Sequence, residues 1–111
     1  MTTTAEARFT EIEQTWFDAD EHYYDDMRRT RSANQALAVE LNWSNARAAY
    51  YRALADGLTR NNAEADAAHA ALEQANRTVM QARAESERFG NLLDLLKDAS
   101  GAAMRLVLLA A

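Results

Sequence analysis

The chain has 111 residues, a net charge of −5, no cysteine and no proline. That length suits one domain with a small core, and the missing cysteine excludes disulfides and thiolate metal sites. Nothing in the chain forces a helix to break, and an acidic balance argues against direct nucleic-acid binding.

Alanine supplies 25 residues and is the best helix former. The expected fold is therefore all-α: a single helical domain, residues 1–111, built as a long antiparallel, coiled-coil-like hairpin. No stretch approaches the roughly 20 apolar residues of a transmembrane helix. The start of the chain lacks the basic and apolar regions of a cleaved secretion signal, so a soluble, cytoplasmic protein is expected. Secretion without a cleaved signal, or association with a virion, is compatible with the same features.

The first element reads as a helix over about residues 5–57. Phe9, Ile12, Trp16, Ala19 and Tyr23 form an apolar stripe. Glu6, Glu13 and Asp20 flank it at seven-residue spacing, as do Glu11, Asp18 and Asp25. Residues 1–26 carry eight acids against one base, Arg8. Asp26 then falls where the stripe calls for an apolar residue, and a basic cluster follows at Arg28, Arg29 and Arg31. Ser32 and Gln35 have the spacing of a capping box. The helix either runs on through 26–32 or breaks there to give a three-helix arrangement. Its stripe resumes as Leu37, Leu41, Ala48, Tyr51, Ala55 and Leu58.

A stop is expected at 57–62. Gly57 suits a left-handed helix end, and Asn62 suits an N-cap with Glu64 and Asp66 in the first turn behind it.

The second helix is expected over about 63–108. Ala68, Leu72, Ala75, Val79, Ala82, Ser86, Phe89, Leu93, Leu96, Ser100, Ala103 and Val107 keep an unbroken 3-4 spacing, and none is charged. Such a seam must lie against another helix. Folding back at 57–62 places position i opposite roughly 120 − i, with helices roughly 70 Å long. Leu41 then faces Val79, and Trp16 faces Met104.

No residues suggest an enzyme. The chain has no Cys nucleophile, no phosphate-binding Gly-rich loop and no nucleophile elbow. His22 lies between Asp18 and Asp26, and His69 between Asp66 and Glu73, but this is how helix-surface histidines commonly sit among acids. No catalytic residue, metal site or cofactor is expected.

The residues instead point to protein partners and to a homo-oligomer. Phe17 with Tyr24, and Trp43 with Tyr50, repeat at seven residues beside the main stripe and are candidate interface aromatics. The end of the chain is apolar on every side, which adds Leu106, Leu108 and Leu109. The expected role is a non-enzymatic interaction or assembly subunit, a structural protein. The acidic face of Glu6, Glu11, Glu13, Asp18, Asp20 and Asp25 suggests an alternative: a decoy, for example phage-encoded, that fills a basic groove on a nucleic-acid-binding protein.

In size and acidity the chain is similar to small secreted helical hairpins with a Trp-x-Gly turn. Trp43, Ser44 and Asn45 are its nearest approach to that motif, lacking the Gly and preceding the expected turn. Its outline, though no motif, is also similar to the filament subunits of type III secretion. These likenesses imply a second alternative, a subunit of a specialised secretion system. The last three residues, Leu109, Ala110 and Ala111, resemble the end of the bacterial tag for stalled translation products, which implies a degradation signal if the end frays.

Overall fold

Residues 3–111 are described by a computed structural model. They form five helices: α1 (Ala5–Glu21), α2 (Tyr23–Arg29), α3 (Ala33–Asp56), α4 (Ala63–Ala84) and α5 (Phe89–Ala110). The all-α class is as expected, but the two long helices are each subdivided.

The first helix is interrupted twice. At His22 the backbone leaves helical geometry (φ −97°, ψ 4°), and the ring nitrogen Nδ1 lies 2.9 Å from the Asp18 carbonyl oxygen. After Arg29 the chain extends. Thr30 donates its hydroxyl to the Met27 carbonyl at 2.8 Å, and the Ser32 hydroxyl accepts the Gln35 N–H at 3.1 Å. Gln35 reaches back to the N–H of Arg31 at 2.7 Å, a capping box displaced by one residue. The capping signal at Ser32 thus marks a true helix start.

The second helix breaks where no glycine announces it. Ser86 sits at φ +55°. Around it the Glu87 N–H donates to the Ala82 carbonyl at 2.9 Å and the Ser86 N–H to that of Arg83 at 3.3 Å. That pair of bonds is a Schellman motif, normally closed by glycine. The seam therefore does not run straight from 68 to 107. It folds on itself: Val79 and Ala82 cluster with Leu92, Leu96 and Ala99, while Ala65, Ala68 and Leu72 cluster with Ala103, Leu106, Val107 and Ala110.

The stop at 57–62 forms as expected. Gly57 takes φ +70°, and the Asn62 side chain accepts the Ala65 N–H at 2.6 Å. Beyond this stop the chain departs from the expected hairpin. α3 and α4 scarcely touch, whereas α1 packs on α3 and on α4, and α5 packs on α4 and on α3. Cross-helix pairs give the directions. Phe9 meets Tyr50 and Trp16 meets Trp43, so α1 and α3 are antiparallel. Thr15 bonds Asn76 at 2.8 Å and Arg83 bonds Asp18 at 2.9 Å, so α1 and α4 are parallel. The bundle is thus two antiparallel pairs, α1/α3 and α4/α5, joined by a link between diagonal helices. Its extents of 42 × 26 × 19 Å are far from a roughly 70 Å hairpin.

The face of α3 that turns inward is Val39, Asn42, Ala46, Ala49 and Ala53. Of the expected stripe, Leu37, Leu41, Ala48, Tyr51 and Ala55 point outward, and only Leu58, past the helix end, is buried. The reason is close approach. α3 packs against both α1 and α5, and alanines let two backbones near a third where leucines would hold them off.

Candidate functional site

Two of the four aromatic residues expected to be interfaces, Trp43 and Tyr50, are half-buried between α1 and α3. Trp43 rests against Trp16 and Tyr23 with centroids at 5.5 Å in each case, and its indole N–H donates to Asp20 at 3.0 Å. Tyr50 packs on Phe9 at 5.6 Å and on Phe17 at 6.0 Å. Together they zip α1 to α3, so the seven-residue aromatic column is an intramolecular seam. Phe17 and Tyr24 do remain on the surface. Leu106 is fully buried in the core and presents nothing to a partner, Leu109 is half-buried, and Leu108 is exposed.

α5 meets three other helices, which accounts for the apolar character of its last turns. Its terminal carbonyls are held too: Arg60 N–H donates to Ala110 at 2.9 Å and the Asn62 amide to Leu109 at 3.2 Å. Leu109 is half-buried and Ala110 buried, and Ala111 is exposed.

Part of the acidic face is committed to partners within the chain. Arg83 binds the carboxylates of both Asp18 and Asp26 at 2.9 Å, tying α1 and α2 to α4. The guanidinium loses solvation by burial, yet hydrogen bonds to Asp26 and Asp18 outweigh this and raise its pKa above the usual arginine value. Asp26, an apparent slip in the apolar stripe, is thus a buried ion-pair partner. Glu11 accepts from Asn76 at 3.0 Å, and Asp25 pairs with Arg28. Tyr23 donates to Glu40, and that bond raises the phenol pKa. Glu6, Glu13 and Asp20 stay at the surface or half-exposed.

Neither histidine keeps both of its flanking acids. Asp26 is held by Arg83, and Asp66 by Arg8 at 3.0 Å. Among the described residues, no three side chains of metal-ligating type converge.

Thr15, Asn42, Asn76 and Ser100 are buried in the bundle interior and line a small cavity of ≈ 20 Å³. That volume holds about one water. Among the described residues, every buried side-chain nitrogen and oxygen already has a hydrogen-bond partner. The layer therefore offers no free group to a ligand and acts as an internal polar joint between helices.

The largest apolar opening lies along α3 and α5. One groove is lined by Leu37, Leu41, Asn45, Leu93, Asp94 and Lys97 among others. The next contains Asn45, Gly101, Met104, Arg105, Leu108 and Leu109. Asn45 borders both, so they form one strip. Leu37, Leu41 and Leu108 are 55, 51 and 55 % exposed there. Exposed apolar strips rimmed by charge are what protein interfaces present. The chain matches no protein-family model, and no curated protein or solved structure is significantly similar to it. The functional reading therefore rests on the strip itself. No helix among the described residues is long and apolar enough to cross a membrane.

Of this strip, the sequence points to Leu108 and Leu109 as interface residues. Its periodicity assigns Leu37 and Leu41 to the internal seam instead. The signal that separates them is the alanine column at 46, 49 and 53, a 3-4 pattern of small residues on the opposite face of the same helix.

Proposed function

We propose that this protein works by association and not by catalysis, as a helical assembly subunit that pairs with a second copy of itself through the α3–α5 strip. The observation that carries this reading is the arrangement of charge and apolar bulk along α5. Asp94 borders one groove and Arg105 the next. Eleven residues on a helix make about three turns, so the two lie on one face about 16 Å apart. Among the described residues neither is in an ion pair.

A two-fold contact presents the same patch on both partners. With the axis between Asp94 and Arg105, each acid of one copy meets the base of the other. The same operation sets Leu37 and Leu41 of one copy against Met104 and Leu108 of its partner, with Gly101 near the centre leaving room for close approach. A bundle 42 Å long and at least 19 Å wide has a side large enough for the roughly 800 Å² per partner of a stable interface.

Light scattering on a sizing column tests this. The wild type should run as a dimer, and Leu41→Asp with Leu108→Asp should give a monomer with unchanged helicity. Asp94→Arg should weaken the dimer, and adding Arg105→Asp should restore it. A wild-type monomer at high micromolar concentration would remove this reading.

A further inference from the structure

The opposite kind of surface lies at the end of the bundle where α2 stops and α5 begins. Arg28 and Arg29 enter it from the last turn of α2, Arg31 from the α2–α3 connection and Arg88 from the α4–α5 link; Phe89 and Gly90 complete the wall. Four of the eleven arginines of an acidic chain thus converge in one concavity from segments far apart in sequence.

Their neutralisation is incomplete. Only Arg28 has a carboxylate partner among the described residues, Asp25. The Glu87 carboxylate accepts the backbone N–H of Arg88 at 2.8 Å and, among the described residues, forms an ion pair with none of the four guanidinium groups. Arg29 is held in place without being neutralised: its guanidinium lies 4.7 Å from the centre of the Phe89 ring and donates to the Glu87 carbonyl at 3.2 Å. Gathering like charges in one hollow costs stability unless an anion joins them. The positive end of the α5 dipole faces the same place; the Arg88 side chain does not cap it, and only the Glu87 carboxylate, on the Arg88 N–H, meets that end. A Cβ built on Gly90 would meet no atom within 4 Å, so the space beside this first turn is open.

We infer that this arginine-lined concavity binds a small phosphorylated anion carrying at least two negative charges. Guanidinium groups match phosphate oxygens in pairs, and several set around one hollow favour a compact, multiply charged group over a single carboxylate. A long polyanion fits poorly. The hollow holds only four arginines, and exposed acids stand close along the chain on either side, Glu21 and Asp25 before Arg28 and Asp94 after Gly90. The site shares no lining residue with the α3–α5 strip, so the two readings stand or fall separately.

The test is a titration of the full chain with pyrophosphate, monitored by backbone amide shifts, with inorganic phosphate, a nucleoside triphosphate and single-stranded oligonucleotides as further arms. Saturable shifts confined to residues 28–31 and 88–91 are expected. Pyrophosphate should bind more tightly than phosphate, and the triphosphate shows whether the exposed edge of Phe89 adds contacts. Arg31→Glu with Arg88→Glu should weaken pyrophosphate on the order of tenfold or more. Both side chains are exposed and, among the described residues, in no ion pair, so the fold should persist, and Arg77→Glu serves as the control. Shifts that never saturate, or that appear equally at Arg52 and Arg77, would overturn the inference. So would an unchanged double variant, or affinity that grows with oligonucleotide length beyond that for any small anion.

Discussion

The two ends of the bundle use the same side chain for opposite purposes. At one end Arg8 is fully buried. It donates to the carbonyls of Leu58 and Arg60 at 2.9 and 2.7 Å, to the Thr3 hydroxyl at 2.8 Å and to Asp66 at 3.0 Å. One guanidinium thus ties the start of the chain, the diagonal link and the first turn of α4. At the other end Arg31 and Arg88 lie exposed, with no ion-pair partner among the described residues. Burial of a charge is tolerated only when its donors are matched, and Arg8 meets that condition. An exposed, unmatched cluster does nothing for the fold and is free to meet a ligand.

Substitutions should separate the two ends. The largest effect is expected for Arg8→Met, which leaves two loop carbonyls without their donor and Asp66 without its ion-pair partner, held only by Thr3. A loss of about 3 kcal/mol is expected, read as a fall of roughly 10 °C or more in the melting temperature. A fall of only a degree or two would show the staple to be dispensable. Arg83→Met should cost less, about 2 kcal/mol, because this side chain reaches solvent. Its signature is local: hydrogen exchange should quicken in α2, which loses its tie through Asp26.

Acid should find the Arg8 end next. The Thr3 backbone N–H, with help from the Thr3 hydroxyl and Arg8, holds the Asp66 pKa below its usual value despite some desolvation. A lowered carboxylate pKa stabilises the fold above the unfolded value, about 3.9, and that contribution is lost as pH falls below it. Amide exchange in residues 57–62 should therefore rise below about pH 4, ahead of the rest of the bundle, and Asp66→Asn should abolish the pH dependence.

Smaller still is Ser86→Gly. Relieving a left-handed non-glycine residue should raise stability by about 0.5–1 kcal/mol in a denaturant melt. A loss instead would mean that the serine side chain stabilises the turn. Smallest is Arg31→Glu with Arg88→Glu, expected to shift stability by no more than about 0.5 kcal/mol. A large loss there would make the two ends alike and return these arginines to a structural role.

Periodicity in the sequence is a good guide to which residues are apolar and helical, and a poor one to what faces them. Most members of the 68–107 seam are buried, as expected. The turn at Ser86 is invisible in the sequence because the Schellman bonds are made by backbone groups and need only one residue to accept positive φ. Periodicity misplaces Leu37 and Leu41 because hydrophobicity alone favours the bulkier stripe, while packing between two neighbours favours the alanine one. Arg8 and Asp26 carry a readable signal: each is a charge on an apolar stripe, Arg8 four residues before Ile12 and Asp26 three after Tyr23. Paired with Asp66 and Arg83, they are buried joints rather than faults in the pattern.

By itself the sequence determined the helical class, the stop at Gly57 and Asn62 and the start at Ser32. Each depends on local terms: alanine propensity, one glycine conformation, one side chain reaching a backbone N–H a turn away. The tertiary structure decided the diagonal link, the inward face of α3, the two arginine ties and the gathering of four arginines around Phe89. Those depend on which surfaces meet, and contacts between residues fifty or more positions apart leave no period in the chain to read.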